Sequence, residues 1–305
     1  MSPDRLTRPE RGPNARAGFA VASRDPLAEK PSGVGDEGQA SWWHAYLHFA
    51  DWTEADSTFI EHVLPLLLAA EAGDAIDGWW YTRKYPCWRL RLREQHRFAA
   101  LPYVRAGLDR LVDEGHLHRW WPGIYEPETP AFGGAAGMSA AHGLFVADSR
   151  EIQRLSQHGT LALGRRELSV LLCTILMRAA GLEWYEQGDV WHRVITADHR
   201  SSLTDVPPEV LDARTAEIRS LLLADTAALL THAGPLRPVT AWAAAFRDTG
   251  LSLAQSVQQG TLERGLREVL SYHVLFHWNR LGLSLRAQSA LAWSARAAIL
   301  GPIAS

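Results

Sequence analysis

The sequence predicts an α+β fold: a mostly helical single domain with a small, mainly antiparallel sheet built from its N-terminal half. Three observations carry this. Period-two alternation of side-chain character, the signature of half-buried strands, falls within the first 130 residues. Apolar residues spaced three and four apart fill nearly everything after them. Strands gathered early and helices late are the α+β arrangement rather than the alternation of a parallel sheet, and no internal repeat interrupts it.

The elements follow in chain order. Residues 1–40 hold Pro3, Pro9, Pro13, Pro26 and Pro31 among Gly, Asp and Arg with almost no aromatics, which predicts a disordered tail ahead of one domain over 41–305. From Ser41, Trp43, Ala45, Leu47 and Phe49 alternate with Trp42, His44, Tyr46 and His48, a strand with one buried face. Thr53 before Glu54 and Asp56 reads as an N-cap, and Phe59, Val63, Leu66 and Leu67 have helical spacing. A second β segment covers Trp79 to Arg93 with a break at Pro86. Helices are expected over 97–114, 139–158, 165–180, 183–198, 208–231, 238–247, 261–281 and 284–299.

Composition narrows the function classes. With 47% hydrophobic and 21% charged residues, the 305-residue chain can build a sizeable core. A net charge of −3 gives no positive field to hold nucleic acid. The longest apolar runs, Val63–Ala70 and Leu168–Met177, fall short of the roughly 18 residues that span a bilayer. Ala17–Ala22 is too short for a secretory signal, so a cytoplasmic protein with no membrane partner is expected. Cys87 and Cys173 stand alone, without the spacing of a disulfide framework or a thiolate metal site. Less ordinary are 13 tryptophans and a basic complement of 31 in which Lys30 and Lys84 are the only lysines. The arginine bias fits a GC-rich genome, but no codon bias produces the tryptophans, which suit a core or a peptide-binding groove.

Three stretches could carry chemistry. In Cys87-Trp88-Arg89-Leu90-Arg91-Leu92-Arg93, an extended chain points Trp88, Leu90 and Leu92 one way and the three arginines the other, at about 7 Å intervals. Such forks suit the carboxylates and carbonyls of an extended ligand, or acids on neighbouring strands. The second stretch runs from Tyr125-Glu126-Pro127-Glu128 through Phe132-Gly133-Gly134 to Met138, His142, Phe145, Asp148, Ser149 and Arg150. Its carboxylates could position protons or anchor arginines, and an ordinary turn and helix cap is the plain alternative. The third is Ser271-Tyr272-His273-Val274-Leu275-Phe276-His277-Trp278-Asn279-Arg280, a helix with two histidines on one face. It lacks the glutamate of a zinc protease helix, so a proton shuttle or a satisfied core histidine is the reading, and no metal is expected. No nucleophile elbow, phosphate loop or dinucleotide fingerprint occurs.

In this order the three stretches resemble the C-terminal (SpaB-C type) domain of lantibiotic dehydratases, which also stands alone in thiopeptide biosynthesis, over about residues 41–300. Glutamate-elimination members of that family usually read His-Leu-Arg-Leu-Arg on the arginine strand. Here the histidine becomes Arg89 while Arg91 and Arg93 align, and the upstream Arg83-Lys84-Tyr85-Pro86-Cys87-Trp88 looks more like the pyridine synthases. The resemblance therefore implies a formal [4+2] aza-cycloaddition between two dehydroalanines of a leader-bearing, azole-containing precursor peptide. Loss of water and of the leader would then give the pyridine and close the macrocycle. It implies no metal, nucleotide or redox cofactor. It assigns proton movement to His277, Ser271 and Tyr272 with Glu126 as an orienter. Substrate binding falls to Trp88, Arg89, Arg91, Arg93, Tyr125, Glu128, Asn279 and Arg280. Glutamate elimination and non-catalytic leader binding stand as alternatives; a homodimer or contact with other biosynthetic enzymes would suit such a protein.

Overall fold

Alternation in the first β segments produces a four-stranded antiparallel sheet in the order β2-β3-β1-β4, from β1 (Trp42–Phe49), β2 (Ile76–Lys84), β3 (Cys87–Glu94) and β4 (Leu117–Gly123). The computed structural model describes residues 42–94, 101–157, 162–197, 203 and 206–301, so the tail expected over 1–40 lies outside the described residues. The break expected at Pro86 is the turn between β2 and β3, where the Tyr85–Pro86 peptide is cis.

One sheet face is a hydrophobic layer. Leu47, Trp79, Tyr81, Trp88, Leu90 and Leu92 pack on α1 (Ala55–Thr58), a π turn over Phe59–Val63, α2 (Leu64–Ala72) and α3 (Leu101–Asp113). Phe59 stacks on Trp88 at 4.9 Å, and Tyr81 stacks on Trp88 at 4.7 Å, so aromatic area dominates this core. Trp88 belongs here, 1% exposed and opposite the arginines. The expected substrate-binding role for Trp88 is thereby corrected, because the alternation that turns Arg89 and Arg91 to one sheet face turns Trp88 to the other.

The remaining helices form a second core, built on α4 (Gly134–Gln157), α5 (Arg165–Ala179), α6 (Trp184–Thr196), α7 (Pro208–Leu223), α8 (Thr226–Leu229), α9 (Thr240–Gln258), α10 (Leu266–Leu281) and α11 (Leu285–Leu300). Central α5 is buried along an unbroken run from Leu168 to Met177. Among the described residues no helix is long and apolar enough to cross a membrane.

Several expectations shift, each for a local reason. Thr53 does not cap: its N–H and hydroxyl both donate to Asp51 Oδ1, and the helix starts at Ala55. The helix expected over 208–231 breaks where Ala224 is extended and Asp225 Oδ1 accepts the N–H groups of Ala227 and Ala228, starting α8. Helix α9 runs on past 247 through Gly250, where a Cβ would lie 2.4 Å from the Leu176 carbonyl oxygen of α5. Strand β4 is absent from the expectations because His118, Arg119 and Pro122 hide its alternation; as an edge strand it tolerates the proline.

Candidate active site

Beyond the buried layer, the second sheet face carries the arginines in three cross-strand rows. The first is Thr82, Arg89, Tyr46 and Trp121; the second is Trp80, Arg91, His44 and Gly123; the third is Gly78, Arg93 and Trp42. Gly123 is needed where it stands, since a Cβ there would lie 2.6 Å from the Tyr46 ring.

Arg91 is the centre and is 4% exposed. Its guanidinium carbon lies 4.1 Å from the Trp80 ring centroid and 5.0 Å from that of Tyr125. One terminal nitrogen donates to Thr82 Oγ1 at 3.0 Å and to the Arg89 carbonyl at 3.1 Å, while Nε is buried without a partner. Burial pulls its pKa down to about 10, against the upward pull of Tyr125 and Glu128, so it remains a cation at neutral pH. Arg93, by contrast, pairs with Asp77 at 2.5 Å, the neighbouring-acid arrangement. Arg89 lies 5.7 Å from the Tyr46 ring.

Two histidines flank Arg91. His44 donates from Nδ1 to the Ile124 carbonyl at 3.2 Å, which leaves its buried Nε2 a lone pair without a partner. His142, on α4, bonds through Nε2 to the Tyr125 hydroxyl at 2.8 Å. Burial first, then Arg91, lowers His44 to about 4; burial, Arg93 and Arg91 lower His142 to about 4. Both rings are neutral at pH 7, and burial raises the Tyr125 phenol. The site therefore presents a buried permanent cation at Arg91, neutral donors and aromatic faces, which suits polarising a neutral planar amide. Towards the sheet edge Tyr46 stacks on Trp121 at 5.1 Å, with Arg119 4.6 Å from Trp121. Inward, Trp80 meets Phe145, Phe145 stacks on Phe276, and Phe132 touches Tyr272, extending the aromatic wall to α10.

The wall depends on the loop between β4 and α4. Gly133 and Gly134 turn it with φ of 79° and 91°, left-handed values that favour glycine. The Gly133 carbonyl accepts from Glu263 N–H at 2.8 Å, and a Cβ on Gly134 would meet the Glu263 carboxylate. The loop's Tyr125, bonded to His142, lies against Arg91.

Of the expected residues, Arg89, Arg91, Arg93 and Tyr125 come together here, and Glu128 is close enough to act electrostatically on Arg91. Glu126 is exposed on the loop, and Tyr272 stands half-buried at the far end of the wall. Ser271 is buried, with its hydroxyl donating to the Glu268 carbonyl at 2.7 Å. The structure gives His277, Asn279 and Arg280 buried or half-buried partners away from this face. Asp148 Oδ2 accepts from Arg280 Nε at 2.6 Å, and its Oδ1 accepts from His277 Nδ1 at 2.9 Å and Trp242 Nε1 at 2.8 Å. The Asp148, His277 and Arg280 side chains have no exposure, so this cluster clamps α4, α9 and α10 rather than facing the arginine strand. Asn279 Oδ1 accepts from Gln288 Nε2 at 3.1 Å, tying α10 to α11. Trp42, His44 and Tyr46 join the site without having been singled out by the sequence, and Trp80, Trp121 and His142 join it without an assigned role. The polar half of the β1 alternation was the available signal for the first three.

Burial gives the fold a pH dependence. Native His44 and His142 titrate near 4 and fully buried His273 near 3, against about 6.5 when unfolded. Below about 6.5 the unfolded chain takes up protons that the native histidines refuse, so stability falls as pH drops towards 4 and is regained as pH rises. The thermal midpoint should be lower at about pH 5 than at pH 7; an unchanged midpoint would contradict these neutral histidines.

Residues 42–299 match the family described as lantibiotic biosynthesis dehydratase C-term. Solved structures that share the fold include MibB, TsrL and TbtD. The tRNA dependent lantibiotic dehydratase MibB from Microbispora sp. 107891 is 20% identical with a TM-score of 0.63, covering 88% of this chain; the chain spans only 29% of that structure. TsrL is 15% identical with a TM-score of 0.58, and the match covers 85% of this chain and 94% of that one. The pyridine synthase TbtD from thiomuracin biosynthesis is 16% identical with a TM-score of 0.57, covering 85% and 99%. No curated protein matches by sequence.

Proposed function

This chain belongs to the lantibiotic biosynthesis dehydratase C-terminal family, and from that premise we propose that it forms the pyridine of a thiopeptide. In this reading it joins two dehydroalanines of a leader-bearing precursor by formal [4+2] aza-cycloaddition and releases water and the leader. One amide tautomerises so that its dehydroalanine serves as the 2-azadiene, and the second dehydroalanine is the dienophile. The protein must hold two alkenes together and stabilise charge on the reacting amide oxygen.

The observation that carries the reading is Arg91: a cation buried among aromatic rings, with an unpartnered Nε–H, between two histidines whose pKa values are about 4. Arg91 polarises the amide oxygen, and the Tyr46, Trp121, Trp42 and Trp80 rings receive the flat parts of the peptide. The match to the pyridine synthase TbtD along 99% of that chain adds support at the level of fold.

Mass spectrometry of a dehydrated, azole-bearing precursor tests it. The expected result is loss of the leader as a carboxamide together with one water. Conversion of a glutamylated peptide instead would make the chain an elimination enzyme. Binding with no mass change on either peptide would make it a leader-binding partner.

A further inference from the structure

Tyr125 and His142 form a short side-chain hydrogen bond beside Arg91 to which pyridine formation has so far assigned no task. The phenol ring stands 5.0 Å from the Arg91 guanidinium carbon, and the imidazole is wedged against Trp42 at 5.0 Å and Trp80 at 6.1 Å. We propose that Tyr125 is a second donor to the reacting carbonyl oxygen, beside Arg91, and that His142 positions it by donating Nε2–H to its hydroxyl.

The neutral imidazole, with a pKa of about 4, carries a single N–H. In the proposed arrangement that N–H is on Nε2, pointing at Oη. The single phenol proton is then left for a ligand, and Arg91 Nε likewise lacks a partner. Two fixed donors converging on one oxygen make an oxyanion hole, which acts where electron density gathers in the transition state. Tyr125 is thus a catalytic residue, and His142 is a positioning residue acting through it.

The inference rests on the proposed reaction for its substrate, but its test separates the two. Wild type, Tyr125→Phe, His142→Phe, His142→Gln and the Tyr125→Phe/His142→Phe double variant are compared on the dehydroalanine peptide for kcat, KM and thermal midpoint. Tyr125→Phe should lower kcat about 100-fold, as loss of one such donor does, with KM changed less than about threefold. His142→Phe should do nearly the same, and His142→Gln, which keeps an N–H donor, should recover to within about tenfold of wild type. The double variant should be no slower than Tyr125→Phe, because His142 acts only through the phenol. Full kcat in Tyr125→Phe, or losses that multiply in the double variant, would overturn the proposal while leaving pyridine formation standing. If wild type converts only the glutamylated peptide, the cyclase reading fails. The same kcat ratios in that assay then decide the donor pair, since elimination also drives charge onto a peptide carbonyl oxygen. A wild type that turns over neither peptide overturns both.

Discussion

Replacing Asp148 by alanine is expected to destabilise the protein by about 3–5 kcal/mol, a large part of the 5–15 kcal/mol that holds a typical domain together. The carboxylate accepts from His277, Arg280 and Trp242 with no solvent contact. Burial alone would push its pKa up, and His277 and Arg280 outweigh that, holding it below the usual carboxylate range. Without it the Arg280 cation remains in a dry interior, where its two terminal nitrogens already lack partners. Chemical denaturation should show the midpoint falling in proportion to that loss. Removing the ions together, with Asp148→Leu, His277→Phe and Arg280→Met, should recover much of the loss, because the cost lies in the unpaired charge. An Asp148→Ala midpoint equal to wild type would show that the clamp is not what binds α4 to α10. His277→Ala belongs to the same class, so any loss of turnover in it must be counted per folded molecule.

This cluster marks the limit of what the sequence reveals. The strand pattern around Arg89, Arg91 and Arg93 was legible because a period of two needs no knowledge of partners: alternation alone separates them from Trp88, Leu90 and Leu92. The helices from Arg165 to Ala179 and Leu285 to Leu300 were legible for the same kind of reason. The Asp148 partner of His277 was not legible because it is 129 residues away, and no local pattern distinguishes a histidine clamped by a carboxylate from one facing a substrate. His142 shows the converse. It sits unremarkably on α4 and acquires meaning only when the turn at Gly133 and Gly134 brings Tyr125 over it. Strand β4 was hidden because an edge strand, with half its backbone unpaired, tolerates the polar residues and proline that mask alternation. The tryptophan excess resolves into two uses: Trp79 and Trp88 fill the hydrophobic layer, while Trp42, Trp80 and Trp121 face the arginines.

Arg91→Met should give the opposite signature to Asp148→Ala: a folded protein that has lost its reaction. Among the described residues the guanidinium is held by the Thr82 hydroxyl and the Arg89 carbonyl rather than by a carboxylate, so its removal strands no buried counter-charge. Thr82 keeps a hydroxyl that can turn elsewhere, and the methionine chain can lie against Trp80 in place of the guanidinium. Relief of desolvation offsets the two lost hydrogen bonds, so the thermal midpoint should hold or rise. The rate should fall about 10²–10³-fold, the loss expected when a fixed donor to a developing oxyanion is removed. Arg91→Lys should recover little, because a point charge on a flexible stem does not reproduce a guanidinium wedged between Trp80 and Tyr125. Arg93→Met is the control on the same strand. Its half-exposed pair with Asp77 contributes on the order of 0–1 kcal/mol, and its loss should disturb rate and stability far less. Stability held and rate lost at Arg91, against small changes at Arg93, would identify the buried arginine as a group placed there for chemistry at a cost to the fold. Equal rates in both variants would return the arginine strand to an ordinary charged sheet face.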